Sequence, residues 1–244
     1  PLHAELHLLL SMIVPVPWLE RVPSYKEQQR ELPDRDLSTY GFLGYPLLQT
    51  ADIIIYKANY VPVGEDQVPH VELAREIVRR FNNLYRPVFP EPQALLTKFP
   101  RLLGLDGRKM SKSYQNVINL ADSAEEIEAK VKTMLTDRKR ARRSDPGRPS
   151  VCNLFPYHRL FTDKDKTAEI DTACRKAKIG CTDCKKVLSS SLIEFLAPIR
   201  EKRRKYEDNP KLVWDILAEG GRKARKITEE TMAEVREAMG LTAG

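Results

Sequence analysis

Lys109 and Lys112 stand three residues apart in the segment Gly107-Arg108-Lys109-Met110-Ser111-Lys112-Ser113. Two ammonium groups so spaced on a loop suit an anion whose charge grows as a bond breaks, such as a leaving pyrophosphate. Ser111 and Ser113 add hydroxyl donors. The chemistry is charge stabilisation, with no covalent part for the protein. A second constellation is made of sulfur: all four cysteines, Cys152, Cys174, Cys181 and Cys184, fall within 33 of the 244 residues, spaced C-x21-C-x6-C-x2-C. In a chain read as cytosolic, a disulfide framework is disfavoured and metal binding leads. Zinc usually takes two short C-x2-4-C knuckles, and only one is present here. An iron–sulfur cluster on four cysteines is therefore preferred, with zinc or free thiols as alternatives. His3 and His7, four apart on a helix face, lack an evident third ligand and read as packing residues.

These groups need elements to hold them. Apolar periodicity predicts a helix over 4–13, and Pro15, Pro17 and Pro23 break the chain after it. A short polar helix is expected over 25–32, and another starting at Tyr45-Pro46 with proline in its first turn. Tyr60-Val61-Pro62-Val63-Gly64 reads as a short buried strand, and 66–84 as a strongly periodic helix. A further strand is expected near 93–96, ahead of the lysine loop. Strand followed by helix is the α/β pattern. From Asp122 the pattern turns helical. Ser123 and Glu126 form a capping box for a helix over 124–135, and further helices are expected at 165–178, 184–207, 209–224 and 228–239. The fold class is thus α/β followed by all-α, with domains at 1–120 and 121–244.

The lysine segment resembles the Lys-Met-Ser-Lys-Ser signature of class I aminoacyl-tRNA synthetases. The segments Tyr45-Pro46-Leu47-Leu48-Gln49-Thr50-Ala51-Asp52 and Val61-Pro62-Val63-Gly64-Glu65-Asp66-Gln67 are similar to the pocket of the bacterial tryptophanyl-tRNA synthetase family. The resemblance covers essentially the whole chain. It implies part of a Rossmann-type catalytic domain, a helical anticodon-binding domain, and activation of tryptophan by ATP with Mg2+ before transfer to tRNA(Trp). An indole N–H is a lone donor in an apolar body and needs one buried acceptor, a part the resemblance gives to Asp52. Val61 and Val63 would wall the ring, and Tyr45 and Gln67 would bind the α-ammonium group. Gln49 sits where some relatives carry methionine. Gly64 would allow close approach of the nucleotide, and Asp66 would accept from a ribose hydroxyl. Lys109, Met110, Ser111, Lys112 and Ser113 would serve the ATP phosphates, with Lys109, Ser111 and Lys112 stabilising the transition state. Some members carry a 4Fe-4S cluster on very similar cysteine spacing, which the resemblance extends to this chain, along with a homodimer.

Composition sets outer bounds. A hydrophobic share of 41% is enough for a sizeable core, and a net charge of +7 admits a polyanionic partner. Basic residues gather at Arg138, Lys139, Arg140, Arg142, Arg143 and Arg148, and again at Arg200, Lys202, Arg203, Arg204 and Lys205. No segment approaches the length of a membrane span, so a cytoplasmic protein is expected. The family's His-x-Gly-His-type tetrad has no counterpart among His3, His7, His70 and His158. With an apolar helix at the very start, this reads as an N-terminally truncated portion, inactive alone in adenylate synthesis. Two other readings stand beside it. One is a tyrosyl-tRNA synthetase-like enzyme, which the valine walls and single carboxylate disfavour. The other is a non-catalytic RNA-binding or iron–sulfur module on the same scaffold.

Overall fold

Two stretches of regular apolar spacing each build a core of their own. The computed structural model describes residues 1–31, 37–96, 102–110 and 114–241. By packing, the chain divides into one unit of Pro1–Arg101 with Asp215–Gly244 and another of Leu102–Trp214. This division differs from a boundary near 120: the lysine loop packs with the helical unit, and the C-terminal helix with the first.

The first unit contains helices α1 (Leu2–Ser11), α2 (Val16–Glu20), α3 (Pro23–Glu31) and α4 (Tyr40–Ile54), strand β1 (Tyr60–Pro62), helix α5 (Val68–Leu84) and strand β2 (Gln93–Leu95). Leu6 and Leu10 of α1, Leu47, Ala51 and Ile54 of α4, and Ile77, Val78 and Phe81 of α5 are buried together. Helix α4 begins earlier than its Tyr-Pro pair suggests. Thr39 caps it, its hydroxyl accepting from Phe42 N at 3.3 Å, and Pro46 lies inside the helix. Strands β1 and β2 pair in parallel, Tyr60 opposite Gln93 and Pro62 opposite Leu95, with α5 as the crossover. This is the α/β unit expected from sequence, although β1 is exposed and half-buried in alternation instead of fully buried. Asn82 fixes the return from α5, its side-chain oxygen accepting from Val88 N at 3.0 Å and Phe89 N at 3.2 Å.

The second unit is helical: α6 (Ala124–Thr133), α7 (Leu154–Phe161), α8 (Lys164–Arg175), α9 (Cys181–Glu207) and the start of α10 (Pro210–Ala238). The capping box on α6 forms with both of its hydrogen bonds. Leu188, Leu192 and Leu196, one face of α9, pack with Ile127 and Val131 of α6 and with Leu154 and Tyr157 of α7. Truncating Leu192 to Ala would cost roughly 2–5 kcal/mol. Helix α10 runs unbroken where two helices were expected. Gly220 and Gly221 cost only about 1 kcal/mol each against alanine, and no proline follows to stop the turn.

Candidate functional site

Helix α4 turns Leu47, Ala51 and Ile54 to the core, so Tyr45, Leu48, Gln49 and Asp52, spaced to share the other side, look outward. Asp52, expected as a buried acceptor, is exposed for this reason, while Tyr45 and Gln49 are half-buried. Gln49 Nε2 donates to Gln67 Oε1 at 3.3 Å, and Gln67 Nε2 donates to Asp66 Oδ2 at 2.9 Å. Three candidate residues thus form one polar chain between α4 and the turn after β1. Tyr45 packs its ring 5.6 Å from that of His70. Burial pushes His70 below the usual histidine range, against a smaller opposing pull from Asp66. Val61 and Val63 are half-buried beside this turn. Gly64 has φ −75°, which any residue adopts, so its use must lie in its missing side chain and not in its backbone freedom. Asp66 lies in a 3-10 turn, Glu65–Gln67, immediately before α5.

In the helical unit, the lysine segment leaves a tight stem. Leu103 bridges Lys109 in antiparallel fashion, and Gly104 N donates to Arg108 O at 2.7 Å. Gly107 takes φ +79°, where a side chain would be strained. Asn116 is the brace: its side-chain amide donates to Asp106 Oδ1 at 2.8 Å and to Lys109 O at 3.0 Å, and its backbone carbonyl accepts from Leu105 N at 2.9 Å. The Asn116 bond, then the Arg108 backbone N–H, pull the Asp106 carboxyl down to about 2. Met110 packs into the second core while Lys109 is exposed. Ser111, Lys112 and Ser113 lie outside the described residues.

The four cysteines lie on three elements. Cys152 closes a short 3-10 turn, Cys174 lies in the last turn of α8, and Cys181 and Cys184 occupy the first turn of α9. Burial pushes the Cys184 thiol up to about 12, and Cys152, Cys174 and Cys181 add to the rise. Arg140 Nη1 lies 3.8 Å from Cys174 Sγ and 3.9 Å from Cys181 Sγ. Its Nη2 donates to Ile179 O and Arg143 O at 2.7 and 3.0 Å. Fully buried His158 places Nε2 3.3 Å from Cys184 Sγ, and burial lowers it to about 4. A Cβ on Gly147 would meet Cys174 Sγ at 2.3 Å. Among the described residues, no group of three or more His, Cys, Asp or Glu side chains is gathered to hold a single metal ion. His3 and His7 pack against Tyr56 and Tyr40.

The basic run is only partly available to a partner. Arg140 braces the thiols and Arg148 pairs with Asp137, whereas Arg138, Lys139 and Arg142 are exposed. Sequence reasoning missed Asn116, Arg140 and His158 as organisers of these sites. An arginine beside a cysteine window was the one available signal, and it was absorbed into the count of positive charge.

The chain matches the model of the class I tRNA synthetases, tryptophan and tyrosine type, over residues 1–197. It is 55% identical over 240 residues to the tryptophan–tRNA ligase of Thermotoga maritima, covering 98% of this chain and 73% of that one. The chain belongs to this family. Identity to the tryptophan–tRNA ligase of Ralstonia nicotianae is 42%, covering 99% of this chain and 78% of its relative. Tryptophanyl-tRNA synthetase from Campylobacter jejuni, solved with ADP and tryptophan, superposes with a TM-score of 0.79 at 33% identity, over 98% of this chain and 74% of that one. Among the described residues, no helix is long and apolar enough to cross a membrane.

Proposed function

We propose that the chain acts as a tryptophan–tRNA ligase, with the outward face of α4 and the turn after β1 holding tryptophan and the nucleoside, and the lysine loop serving the ATP phosphates. A carboxylate oxygen of tryptophan bonds to the α-phosphorus, the bond to the bridging oxygen breaks, and pyrophosphate leaves as its Mg2+ complex. A terminal ribose hydroxyl of tRNA(Trp) then attacks the acyl carbon, and AMP departs. Catalysis is mainly positioning and charge stabilisation. Asp52 takes the indole N–H, Tyr45 and Gln67 the ammonium group, Val61 and Val63 the ring, and Asp66 the ribose beside Gly64. Lys109 and Lys112 meet the phosphates, with Met110 as the anchor and Ser111 and Ser113 as donors.

The observation that carries this reading is the Gln49–Gln67–Asp66 chain, which joins the proposed amino-acid and nucleotide residues in one network. Tryptophan-dependent ATP–pyrophosphate exchange by the protein tests it, with tyrosine as competitor. Exchange with tryptophan and not tyrosine supports it and sets aside the inactivity expected from the missing tetrad; tryptophan binding without exchange bears that inactivity out, and binding of RNA with neither favours the non-catalytic module. The cytoplasmic location and the homodimer belong to the same reading; light scattering tests the latter.

The shared window of Cys152, Cys174, Cys181 and Cys184, with the Arg140 cation beside Cys174 and Cys181, supports the reading of a 4Fe-4S cluster held by these four. A tetrahedral zinc site with its short bonds would draw the sulfurs to about 3.8 Å of one another. The cluster would supply a fixed crosslink between α8, α9 and the segment after the basic run, which leaves Arg138, Lys139 and Arg142 to face the tRNA. Analysis for iron and acid-labile sulfide decides between cluster, zinc and free thiols.

A further inference from the structure

Helix α7 touches two sites at once. Its N-cap Asn153 makes no bond to its own helix; the side-chain amide instead donates to Gly104 O at 2.8 Å. One turn on, the Tyr157 hydroxyl donates to Leu103 O at 2.5 Å. Tyr157 is 2% exposed, so its hydroxyl needs that partner. Leu103 bridges Lys109 across the stem, and Gly104 O also accepts from Gly107 N at 2.9 Å. The two carbonyls α7 grips therefore set the path of the segment that pairs with Lys109. The next residue, His158, contacts Cys184, and the residue before Asn153 is Cys152.

We propose that Asn153 and Tyr157 are positioning residues for Lys109, and that helix α7 couples Cys152 and Cys184 to the lysine loop. The activity half of this rests on the reading of Lys109 as a phosphate-side group. Asn153 and Tyr157, one turn apart, share a face of α7, and His158 lies a third of a turn further round. A shift of Cys152 or Cys184 moves the N-cap or the middle of α7, which is only 8 residues long. The loop stem is close-packed on its other side, since a Cβ on Gly104 would lie 2.3 Å from Asn116, so it has little freedom to absorb such a shift.

The test uses the purified protein with its cysteines intact, and compares Asn153→Asp, Tyr157→Phe and Cys184→Ser with the parent. Three quantities are read: amide exchange over 103–110, and kcat and KM in tryptophan-dependent pyrophosphate exchange. Expected are faster amide exchange over 103–110 in all three variants and a kcat lowered about tenfold for Asn153→Asp, with KM for tryptophan unchanged. In a Lys109→Ala background, Asn153→Asp should add no further loss. Unchanged amide exchange over 103–110 in Asn153→Asp and Tyr157→Phe overturns the gripping role, and in Cys184→Ser alone it overturns the link to the thiols. Tyr157→Phe removes one oxygen from a packed ring and keeps the variant set foldable. If Lys109→Ala itself leaves kcat unchanged, the reading of Lys109 fails, while the amide-exchange comparison still decides the coupling.

Discussion

Arg148 holds both carboxylate oxygens of Asp137, Nη2 to Oδ1 at 2.5 Å and Nε to Oδ2 at 2.9 Å. Asp137 also accepts from the backbone N–H groups of Lys139 and Arg148 at 3.0 and 3.1 Å. The pair ties the two ends of the segment between α6 and the first cysteine.

Arg148→Ala should destabilise the helical unit, because it strips a charged partner from a carboxylate that keeps its two backbone donors. Urea unfolding checks this. An unchanged midpoint would show the pair to be dispensable. Arg148 holds the Asp137 carboxyl well below the usual carboxylate range, so its contribution is complete above the ordinary Asp value and fades only in strong acid.

Acid should loosen the lysine loop late. Asp106 falls from its ordinary 3.8 to about 2, chiefly through the Asn116 bond. A lowered folded-state value means that its contribution to the loop is whole above 3.8, and is lost as pH drops through about 2. The Asp106 carboxyl carbon, followed by NMR, should titrate near that lower value. A midpoint at 3.8 or above would mean that the Asn116 bond does not form in solution.

Gly104→Ala should damage the loop stem more than a surface glycine change could. The added methyl would lie 2.3 Å from the Asn116 side-chain nitrogen and 2.8 Å from its backbone carbonyl oxygen, and Asn116 is buried. Overpacking of this kind costs about 1–3 kcal/mol. Gly220→Ala, with nothing within 4 Å of the new methyl, should instead stabilise α10 by a few tenths to about 1 kcal/mol. Paired thermal melts of the two variants make the comparison.

Asp52→Asn should separate function from stability. The side chain is exposed on α4, so unfolding free energy should stay within about 0.5 kcal/mol. Loss of a charged acceptor for the indole should raise KM for tryptophan roughly 10- to 100-fold. An unchanged KM would remove Asp52 from the pocket.

Legibility from sequence followed the range of the interactions. The capping box at Ser123 and Glu126, the β1–α5–β2 unit and the cysteine window depend on neighbours a few residues away or on strict periodicity, and all could be read. Pro46 misled because proline favours a first helical turn, whereas the Thr39 cap starts α4 six residues before Tyr45 would. Asp52 was placed inside because apolar neighbours surround it in sequence; the helical period carries it outward. The stem contacts of Asn153 and Tyr157 reach 49 and 54 residues back along the chain, and no local pattern announces a bond of that span. Helix α7 itself escaped notice because it is short and carries Pro156 in its first turn.

Helix α9 acts as a ruler. The first basic run is fastened at its N-terminus, through Arg140 beside Cys181 and Arg143 paired with Asp183 at 3.4 Å, and the second run occupies its last two turns. At 1.5 Å per residue, Cys181 and Lys205 stand roughly 35 Å apart. No single phosphate can reach both ends. A mononucleotide can occupy one end or the other, and only an extended polyanion several nucleotides long can neutralise the two together.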